Sequence, residues 1–390
     1  MPTDDRAEVT EIALAAASRR GDELLALLRR WVEVNSFTAN PSGVDKVGHL
    51  IAEALAPLPL TLERRRGDGC GDHLAWTTPA WRDAPARRIV LVGHHDTVFP
   101  PGSFEAWDLQ GDRLRGPGVL DMKGGLACVR TALAALHEAG LLAGLPLALV
   151  SVGDEETGSL DSRTFLEDVA RGAAAALVFE AGRVGDQIVV ARKGVGTLHV
   201  GVHGKAAHAG NDLRHGVNAI WALARFVDAA QRLGDDAGGT TVNVGTMRGG
   251  TSTNTVPEHA DCAIDFRFVR AADGDALMTR FDAIAREVAE ASGARFVLSG
   301  GVKRPPQERR DAAVALAARY GACALAEGLG DGEAPLQGGG SDGNTVSAVG
   351  VPAIDGLGPR GRGFHTHDEY VEVPTLMMRT RALVRFLAAW

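Results

Sequence analysis

The sequence predicts an α/β fold, a doubly wound and mostly parallel sheet, with a ferredoxin-like α+β domain inserted into it. Two observations predict this fold. Near-continuous apolar runs of strand length alternate with helical stretches in the first half of the chain, and short apolar runs of that kind are typical of parallel strands buried on both faces. A later segment of about 110 residues has the order strand, helix, two strands, helix and strand, which is typical of a ferredoxin-like unit.

The main domain opens with helices over residues 8–58, where leucines and Trp31 recur at helical spacing. Its predicted buried strands are the three apolar runs at 89–92, 145–152 and 174–179. Between the first two runs, residues 124–140 place three leucines and a valine on one helical face. Strands and helices therefore alternate along this part of the chain, as in a sheet with helices on both faces.

The inserted domain begins where this alternation ends. Its predicted elements are a strand at 195–203, a helix at 217–233, strands at 240–247 and 259–269, a helix at 275–291 and a strand at 295–298. The α/β character resumes after residue 304, with a helix from about 311 and a last helix at 374–389. The predicted domains are residues 1–192 and 304–390 for the main domain, and 193–303 for the inserted domain.

Composition excludes several classes of protein. A formal charge of −8 and a pI near 5.9 argue against a nucleic-acid or anionic-membrane partner. No apolar stretch approaches the roughly 18 residues that a membrane span needs, and the polar, acidic start of the chain does not resemble a signal peptide. The four cysteines lie far apart, without a Cys-x-x-Cys pair. We therefore expect reduced thiols and a cytoplasmic location.

Ionisable side chains follow each buried strand of the main domain. They are His94 and Asp96 after the first strand, residues 154–156 after the second, and Glu180 after the third. Ligands of open α/β sheets bind beyond the carboxyl ends of the strands, so these groups should converge in one crevice. Several carboxylates in one crevice repel each other unless a cation lies among them. The sequence therefore predicts a metal site, and so many acidic groups suit a pair of divalent ions.

The individual candidates differ in their support. On a strand, His94 and Asp96 point to the same side, so the carboxylate can orient the imidazole while the ring binds a metal. Asp121 lies in a glycine-flanked turn before a helix, where it could bridge two ions. His95 should point away from His94. His367 rivals His365, because both lie on the same side of an extended chain.

These residues, together with the segments 118–125 and 363–369, resemble the co-catalytic di-zinc peptidases that include carboxypeptidase G, the aminoacylases, acetylornithine deacetylase and succinyl-diaminopimelate desuccinylase. The resemblance runs from His94 to Tyr370, with the motifs in the family's order, and is greatest to the carboxypeptidase G (glutamate carboxypeptidase) branch. It implies a catalytic domain with an inserted lid and dimerisation domain. The apolar helix at 217–233 in this small insertion predicts a homodimer formed through it. It also implies an Asp121–Met122 peptide bond that is often cis.

The resemblance implies a role for each motif residue. One zinc would be held by His94 and Glu180 and the other by Glu156 and His365, with Asp121 bridging both. Co²⁺ or Mn²⁺ are the alternatives to the two Zn²⁺ per subunit. The family's His-x-x-x-Glu spacing favours His365 over His367.

The base and the support of a ligand are implied in the same way. Asp96 would support His94, and Glu155 would be the general base. Adjacent glutamates on a strand point to opposite sides, so one ligand and one base are expected at 155 and 156; their division comes from the family.

The inserted domain contributes further implied roles. His208, in the segment 204–210, would stabilise the tetrahedral oxyanion, often from the partner subunit. Asn254 and Arg304 would contact the substrate carboxylate, and Gly340 lies in a glycine-rich turn on the substrate side.

The resulting functional hypothesis is a zinc-dependent hydrolase that cleaves an amide bond next to a free carboxylate, most like a glutamate carboxypeptidase. Glu rather than Asp at position 180 is typical of the carboxypeptidase and acylase branches. One alternative is an N-acyl-amino-acid deacylase of the aminoacylase or acetylornithine deacetylase type. Another is an inactive metal-binding regulatory relative, which predicts a broken site. The substrate would be a small peptide or an N-acyl amino acid.

Overall fold

The computed structural model of the protein describes residues 3–390, which form two compact units. The first unit contains the chain up to Ala191, Arg309–Gln337 and Ser341–Trp390. The second contains Arg192–Glu308 and Gly338–Gly340. Among residues 3–390, no helix is long and apolar enough to cross a membrane.

In chain order the helices of the described residues are α1 (Thr3–Ser18), α2 (Gly21–Val32), α3 (Pro41–Leu55), α4 (Lys123–Glu138), α5 (Arg163–Ala170), α6 (Ala219–Gln231), α7 (Ala271–Ser292), α8 (Asp311–Leu325), α9 (Asp342–Ala348) and α10 (Val373–Ala388). The strands are β1 (Thr61–Arg65), β2 (His73–Thr77), β3 (Ile89–His94), β4 (Asp108–Gln110), β5 (Arg113–Arg115), β6 (Leu147–Val152), β7 (Ala175–Val178), β8 (Gly194–His203), β9 (Thr241–Gly249), β10 (His259–Phe268), β11 (Arg295–Arg304), β12 (Ala353–Ile354), β13 (Gly361–Arg362) and β14 (Tyr370–Glu372).

The main sheet of the first unit has the order β1-β2-β6-β3-β7-β12. Strands β6, β3, β7 and β12 run parallel, whereas β1 and β2 are antiparallel at one edge. The predicted doubly wound, mostly parallel sheet is therefore confirmed, with an antiparallel edge that the sequence did not predict. Every residue of β1 is exposed, so this strand has no buried apolar alternation that would predict it.

Helices cover both faces of this sheet. Alternate residues of β3 point to opposite sides, since Leu91 belongs to one buried cluster and Val90 and Val92 to another. The first cluster includes apolar residues of α1, α2, α4 and α10, and the second includes Phe165 and Leu166 of α5. Two-sided burial explains why the central strands are continuous apolar runs. All three of them, β3, β6 and β7, are fully buried and end at one edge of the sheet.

The second unit contains the antiparallel sheet β11-β8-β10-β9 with α6 and α7 on one face. Alternate residues of β8, from Leu198 to Val202, pack beneath the helices. The predicted order of strands and helices is confirmed. Strand β11 extends to Arg304, six residues beyond the predicted end, because residues 299–303 are a glycine-rich and mostly exposed stretch without apolar alternation.

A third small sheet, β13-β14-β5-β4, was missed by the sequence prediction because none of its strands exceeds three residues. It pairs β5 with β14 in antiparallel register. Next to this pair, the Gly116 N–H donates to the Glu369 carbonyl oxygen at 3.2 Å. The sheet therefore brings the segment that follows β5 against the segment that precedes β14, and these segments carry Asp121 and His365.

Candidate metal centre

His94 ends strand β3 and directs its two ring nitrogens to different partners. Nε2 lies 3.2 Å from Asp121 Oδ1 and 3.8 Å from Glu180 Oε1. Nδ1 lies 3.1 Å from the Asp96 carbonyl oxygen and 3.3 Å from Asp96 Oδ1. Both Asp96 atoms are acceptors, so Nδ1 carries a proton and Nε2 is the nitrogen available to a metal. The predicted proximity of His94 and Asp96 is present in the structure.

A second histidine occupies the other side of Asp121. His365 Nε2 lies 3.3 Å from Asp121 Oδ2 and 3.1 Å from Glu156 Oε2. Each carboxylate oxygen of Asp121 thus faces one histidine, which fits a carboxylate shared by two cations. His365 has φ 62°, a left-handed conformation that is uncommon for a residue other than glycine. The structure brings together all five residues that the resemblance implied as ligands.

Glu369 holds the turn that presents Asp121. It is fully buried, and its carboxylate accepts the N–H groups of Gly118 at 3.1 Å, Leu120 at 2.8 Å and Asp121 at 3.0 Å. The Asp121–Met122 peptide bond in this turn is cis. Sequence reasoning used Glu369 only as a spacing marker for His365 and missed this function, because the three bonds connect segments about 250 residues apart.

Glu155 and Glu156 lie on a 3₁₀ turn rather than on a strand, so the expectation based on strand alternation was wrong. The turn is held by Asp96, whose Oδ1 accepts the Glu155 N–H and whose Oδ2 accepts the Glu156 N–H, both at 3.2 Å. Thr38 Oγ1 donates to Asp96 at 2.7 Å. Asp96 thereby positions both His94 and the two glutamates, a second function that the sequence did not predict.

Glu155 also reaches the cluster. One carboxylate oxygen of Glu155, one of Glu180 and one ring nitrogen of His94 lie within 4.8 Å of one another. One ring nitrogen of His94 and one carboxylate oxygen each of Asp121 and Glu156 also lie within 4.8 Å of one another. The two groups overlap at His94 and between them contain four carboxylates.

The electrostatics of the cluster indicate an excess of negative charge. Burial and the nearby Asp121 raise the pKa of Glu156 to about 8 and that of Glu180 well above its usual range. Hydrogen bonds to Asp121 and Glu156 raise the pKa of His365 to about 10. Burial opposes charge on Asp121, but its bonds to both histidines hold its pKa below the usual range.

Divalent cations would relieve this crowding, because they favour ionised carboxylates and neutral imidazoles. The donor set of imidazole nitrogens and carboxylate oxygens is one that zinc accepts, as do cobalt and manganese. The residues therefore fit a pair of such ions.

The two rival histidines lie elsewhere. His95 is buried and its Nδ1 lies 2.8 Å from Ser151 Oγ, while burial lowers the pKa of the ring to about 3. His367 is exposed and stacks on Phe104, with ring centroids 5.5 Å apart. Neither ring takes part in the cluster around Asp121.

A second set of side chains, Cys70, His73 and Asp161, also brings three ligand-type atoms within 4.8 Å of one another. His73 Nε2 lies 2.8 Å from Asp161 Oδ2, and the Gly153 N–H donates to His73 Nδ1 at 3.2 Å. Nδ1 must therefore hold a lone pair and Nε2 the proton. A metal-bound histidine needs the opposite arrangement, so this set does not fit a metal.

The remaining predicted residues belong to the second unit. His208 and Thr255 form a backbone bridge, and the Ala209 N–H donates to the Asn254 carbonyl oxygen at 2.9 Å. The structure thus places His208 beside Asn254. Arg304 is buried, and a Cβ at Gly340 would lie 3.0 Å from its Cδ, so Arg304 and Gly340 are also neighbours.

Comparisons with known proteins agree with this geometry. Residues 190–292 match the model of the peptidase dimerisation domain of the M20 family. Carboxypeptidase G2 of Pseudomonas sp. strain RS-16 is 27% identical over 384 residues, 96% of this chain and 91% of that protein. Succinyl-diaminopimelate desuccinylase of Methylococcus capsulatus is 30% identical over 319 residues, 76% of this chain and 81% of that protein.

Solved structures share the fold. A dinuclear metal-binding peptidase of the M20 family from Bacillus subtilis superposes with a TM-score of 0.70 at 16% identity, and the match covers 95% of this chain and 98% of that one. The resemblance that the sequence motifs carried is therefore confirmed, and the inserted segment is a peptidase dimerisation domain. The chain belongs to the M20 family of dinuclear metallopeptidases.

Proposed function

We propose that the protein is a zinc-dependent hydrolase that cleaves a peptide or amide bond next to a free carboxylate, most like a glutamate carboxypeptidase. The observation that carries the proposal is the cluster in which the buried Asp121 faces His94 with one oxygen and the half-exposed His365 with the other. The likeness to carboxypeptidase G2 over 96% of the chain supports this reaction over others of the family.

In this proposal His94 and Glu180 would hold one ion and Glu156 and His365 the other, with Asp121 as a ligand shared by both. Bound there, the ions would polarise the scissile carbonyl and lower the pKa of a water molecule. Zinc is the proposed metal, since the donors are its usual nitrogen and oxygen ligands.

Glu155 takes the water proton on its carboxylate and passes it to the leaving nitrogen, as a general base and then a general acid. Asp96 fixes the turn that carries Glu155, so the base is positioned without substrate.

The second unit supplies the groups that contact the substrate. His208 donates a hydrogen bond to the developing oxyanion, an interaction that strengthens as charge builds there. Arg304, with Gly340 beside it, binds the substrate carboxylate. Arg304 pairs with Val195 at one end of the sheet, whereas Asn254 follows the end at which His203 pairs with His259. Asn254 therefore contacts the same carboxylate as a residue of the other subunit. The match of residues 190–292 to a dimerisation domain supports a homodimer formed through this unit.

An N-acyl-amino-acid deacylase is the second candidate, because the desuccinylase of Methylococcus capsulatus is 30% identical to this chain. Both reactions leave a free α-carboxylate on the released amino acid and use the same cluster. They differ in the acyl side of the scissile bond.

A panel of substrates separates the candidates. It contains N-blocked dipeptides ending in Glu, Asp, Leu or Arg, the same peptides with a C-terminal amide, and N-acetyl and N-succinyl amino acids. We expect release of C-terminal Glu, and no release from the amidated peptides. Hydrolysis of N-acetyl or N-succinyl amino acids alone would transfer the assignment to the deacylases. Failure of the metal-loaded protein on the whole panel would favour a regulatory relative. Glu155→Gln protein, purified in parallel, controls for contaminating hydrolases.

A further inference from the structure

His208 lies between β8 and α6, in an exposed segment whose backbone holds the ring in place. The residue pairs with Thr255 through a backbone bridge, and its carbonyl oxygen accepts the Asp212 N–H at 2.9 Å. Residues 208–212 therefore form a hydrogen-bonded turn. This turn brings two further backbone N–H groups to the imidazole.

Both of these N–H groups point at the same ring atom. Gly210 N–H donates to His208 Nδ1 at 3.2 Å, and Asn211 N–H donates to it at 3.1 Å. A backbone N–H only donates, so Nδ1 must offer its lone pair. A neutral imidazole with a bare Nδ1 carries its proton on Nε2. An imidazolium would aim an Nδ1–H at two N–H groups and lose both hydrogen bonds.

Gly210 makes this close approach possible. An ideal Cβ built at position 210 would lie 3.3 Å from His208 Cε1 and 3.6 Å from Nδ1. A contact of 3.3 Å is tighter than ordinary van der Waals contact between carbon atoms. A side chain at this position would require the ring to shift by a few tenths of an ångström. The glycine therefore lets the backbone itself contact the imidazole.

We propose that the backbone N–H groups of Gly210 and Asn211 fix His208 as a neutral imidazole with its proton on Nε2, so that it acts as a hydrogen-bond donor and not as an acid. That this donor binds the developing oxyanion rests on the proposed function. The assignment of the tautomer is independent of that function. Gly210 and Asn211 are positioning residues, because they act on the substrate only through His208.

Nuclear magnetic resonance on the full-length, metal-loaded protein tests the tautomer directly. With ¹⁵N-labelled histidine, two-bond ¹H–¹⁵N correlations distinguish a bare ring nitrogen from a protonated one. The His208 signals are assigned by their loss in the His208→Gln variant. At pH 7.5 we expect a bare Nδ1 and a protonated Nε2. A protonated Nδ1, alone or together with a protonated Nε2, would overturn the proposal whether or not the enzyme acts on any substrate in the panel.

A variant of the turn provides the causal test. Asn211→Pro removes one of the two N–H groups, whereas Asn211→Ala keeps it. We expect the signal of a protonated Nδ1 to grow in the proline variant and to stay absent in the alanine variant. An unchanged spectrum in a folded Asn211→Pro protein would contradict the role of the backbone. If that variant does not fold, the spectrum of the unaltered protein still decides the tautomer.

Kinetics test which nitrogen donates. At position 208, the amide nitrogen of glutamine would lie about as far from the backbone as Nε2 of the histidine. The amide nitrogen of asparagine would lie only about as far as Nδ1. Loss of an oxyanion donor costs ~100- to 1000-fold in kcat. His208→Asn should show this loss with little change in KM, and His208→Gln should retain more of the rate. Equal losses in the two variants would contradict donation from the Nε2 position.

Discussion

Two histidines, one in each unit, are held by neighbours of opposite hydrogen-bonding character. Nδ1 of the buried His94 faces two acceptor oxygens of Asp96, at 3.1 and 3.3 Å. Nδ1 of the exposed His208 faces two donors, the N–H groups of Gly210 and Asn211. The Asp96 oxygens keep a proton on Nδ1, so that Nε2, beside Asp121 and Glu180, is the nitrogen that would bind a metal ion. The N–H groups of Gly210 and Asn211 keep Nδ1 of His208 unprotonated and leave the proton on Nε2.

The same side chain is thus prepared for opposite chemistry. A nitrogen lone pair suits a metal ion, and an N–H suits a developing oxyanion. In both cases a group within three residues in sequence sets the tautomer. A histidine's function at such a site depends on the atom that faces its far nitrogen.

Removal of the metal should have the largest effect, since every ligand in the first unit would lose its function. We expect dialysis against a chelator to abolish hydrolysis and added Zn²⁺, Co²⁺ or Mn²⁺ to restore it. Without ions, Glu156 and His365 have pKa values of about 8 and about 10, so both hold protons at pH 7. Metal binding must displace these protons. Acidification of a weakly buffered solution on adding metal measures this release, and full activity at negligible metal content would contradict the two-metal assignment.

Glu155→Gln should have the next largest effect. The amide cannot accept the water proton, so kcat should fall by ~100- to 10,000-fold. Metal content measured by elemental analysis should not change, because Glu155 is assigned as the base and not as a ligand. Glu63→Gln, on the exposed edge strand β1, is the matched control and should keep full activity. A Glu155→Gln protein that loses one ion would instead make Glu155 a ligand.

Asp96→Asn breaks the His94 side of the comparison directly. Asparagine retains the size of the aspartate and the carbonyl oxygen that faces Nδ1, but it removes the carboxylate charge. Its amide N–H₂ must also face a donor, either Nδ1 and the Glu155 N–H or the Glu156 N–H. We expect metal affinity or activity to fall by ~10- to 100-fold, the usual effect of a residue that orients a metal ligand. Competition with a chromophoric chelator measures the affinity. Unchanged metal binding would show that Asp96 does not determine the state of the ring.

Glu369→Gln probes the turn that carries Asp121. Three backbone N–H groups donate to the glutamate carboxylate. The N–H₂ group of glutamine would face at least one of these donors and lose its hydrogen bond. We expect a loss of metal affinity toward the lower end of the same ~10- to 100-fold range. Asp368→Asn alters the exposed neighbouring carboxylate and should leave the affinity unchanged. Equal effects of the two substitutions would mean that charge, and not the hydrogen bonds of Glu369, is responsible.

The sequence predicted the parts of the site that depend on local pattern. A histidine, aspartate or glutamate directly after an apolar run marks a strand end, and His94 and Glu180 were found that way. Their partner Asp121 was found from its motif. What the sequence did not predict depends on tertiary contacts. The function of Glu369 and the bonds of Asp96 to the Glu155 and Glu156 N–H groups follow from backbone groups that folding brings from distant segments. The tautomer of His208 depends instead on a local turn whose conformation the sequence pattern did not indicate.

The edges of the fold were missed for a related reason. Strand β1 is exposed throughout, and β13 and β14 are only two and three residues long, so none of them has a periodic apolar pattern. Yet β14 brings His365 to Asp121 by pairing with β5. Short strands can therefore position a site without leaving a signal in the sequence.

The central claim is that Asp121 joins two metal sites, one containing His94 and the other His365. Metal stoichiometry of chelator-stripped protein, titrated with Co²⁺ and checked by elemental analysis, tests it most directly. We predict two ions per chain for the unaltered protein and for His367→Ala, and one ion each for His94→Ala and His365→Ala, with different absorption spectra for the two remaining ions. One ion per chain in the unaltered protein, or the same spectrum in both single-ion variants, would contradict the claim.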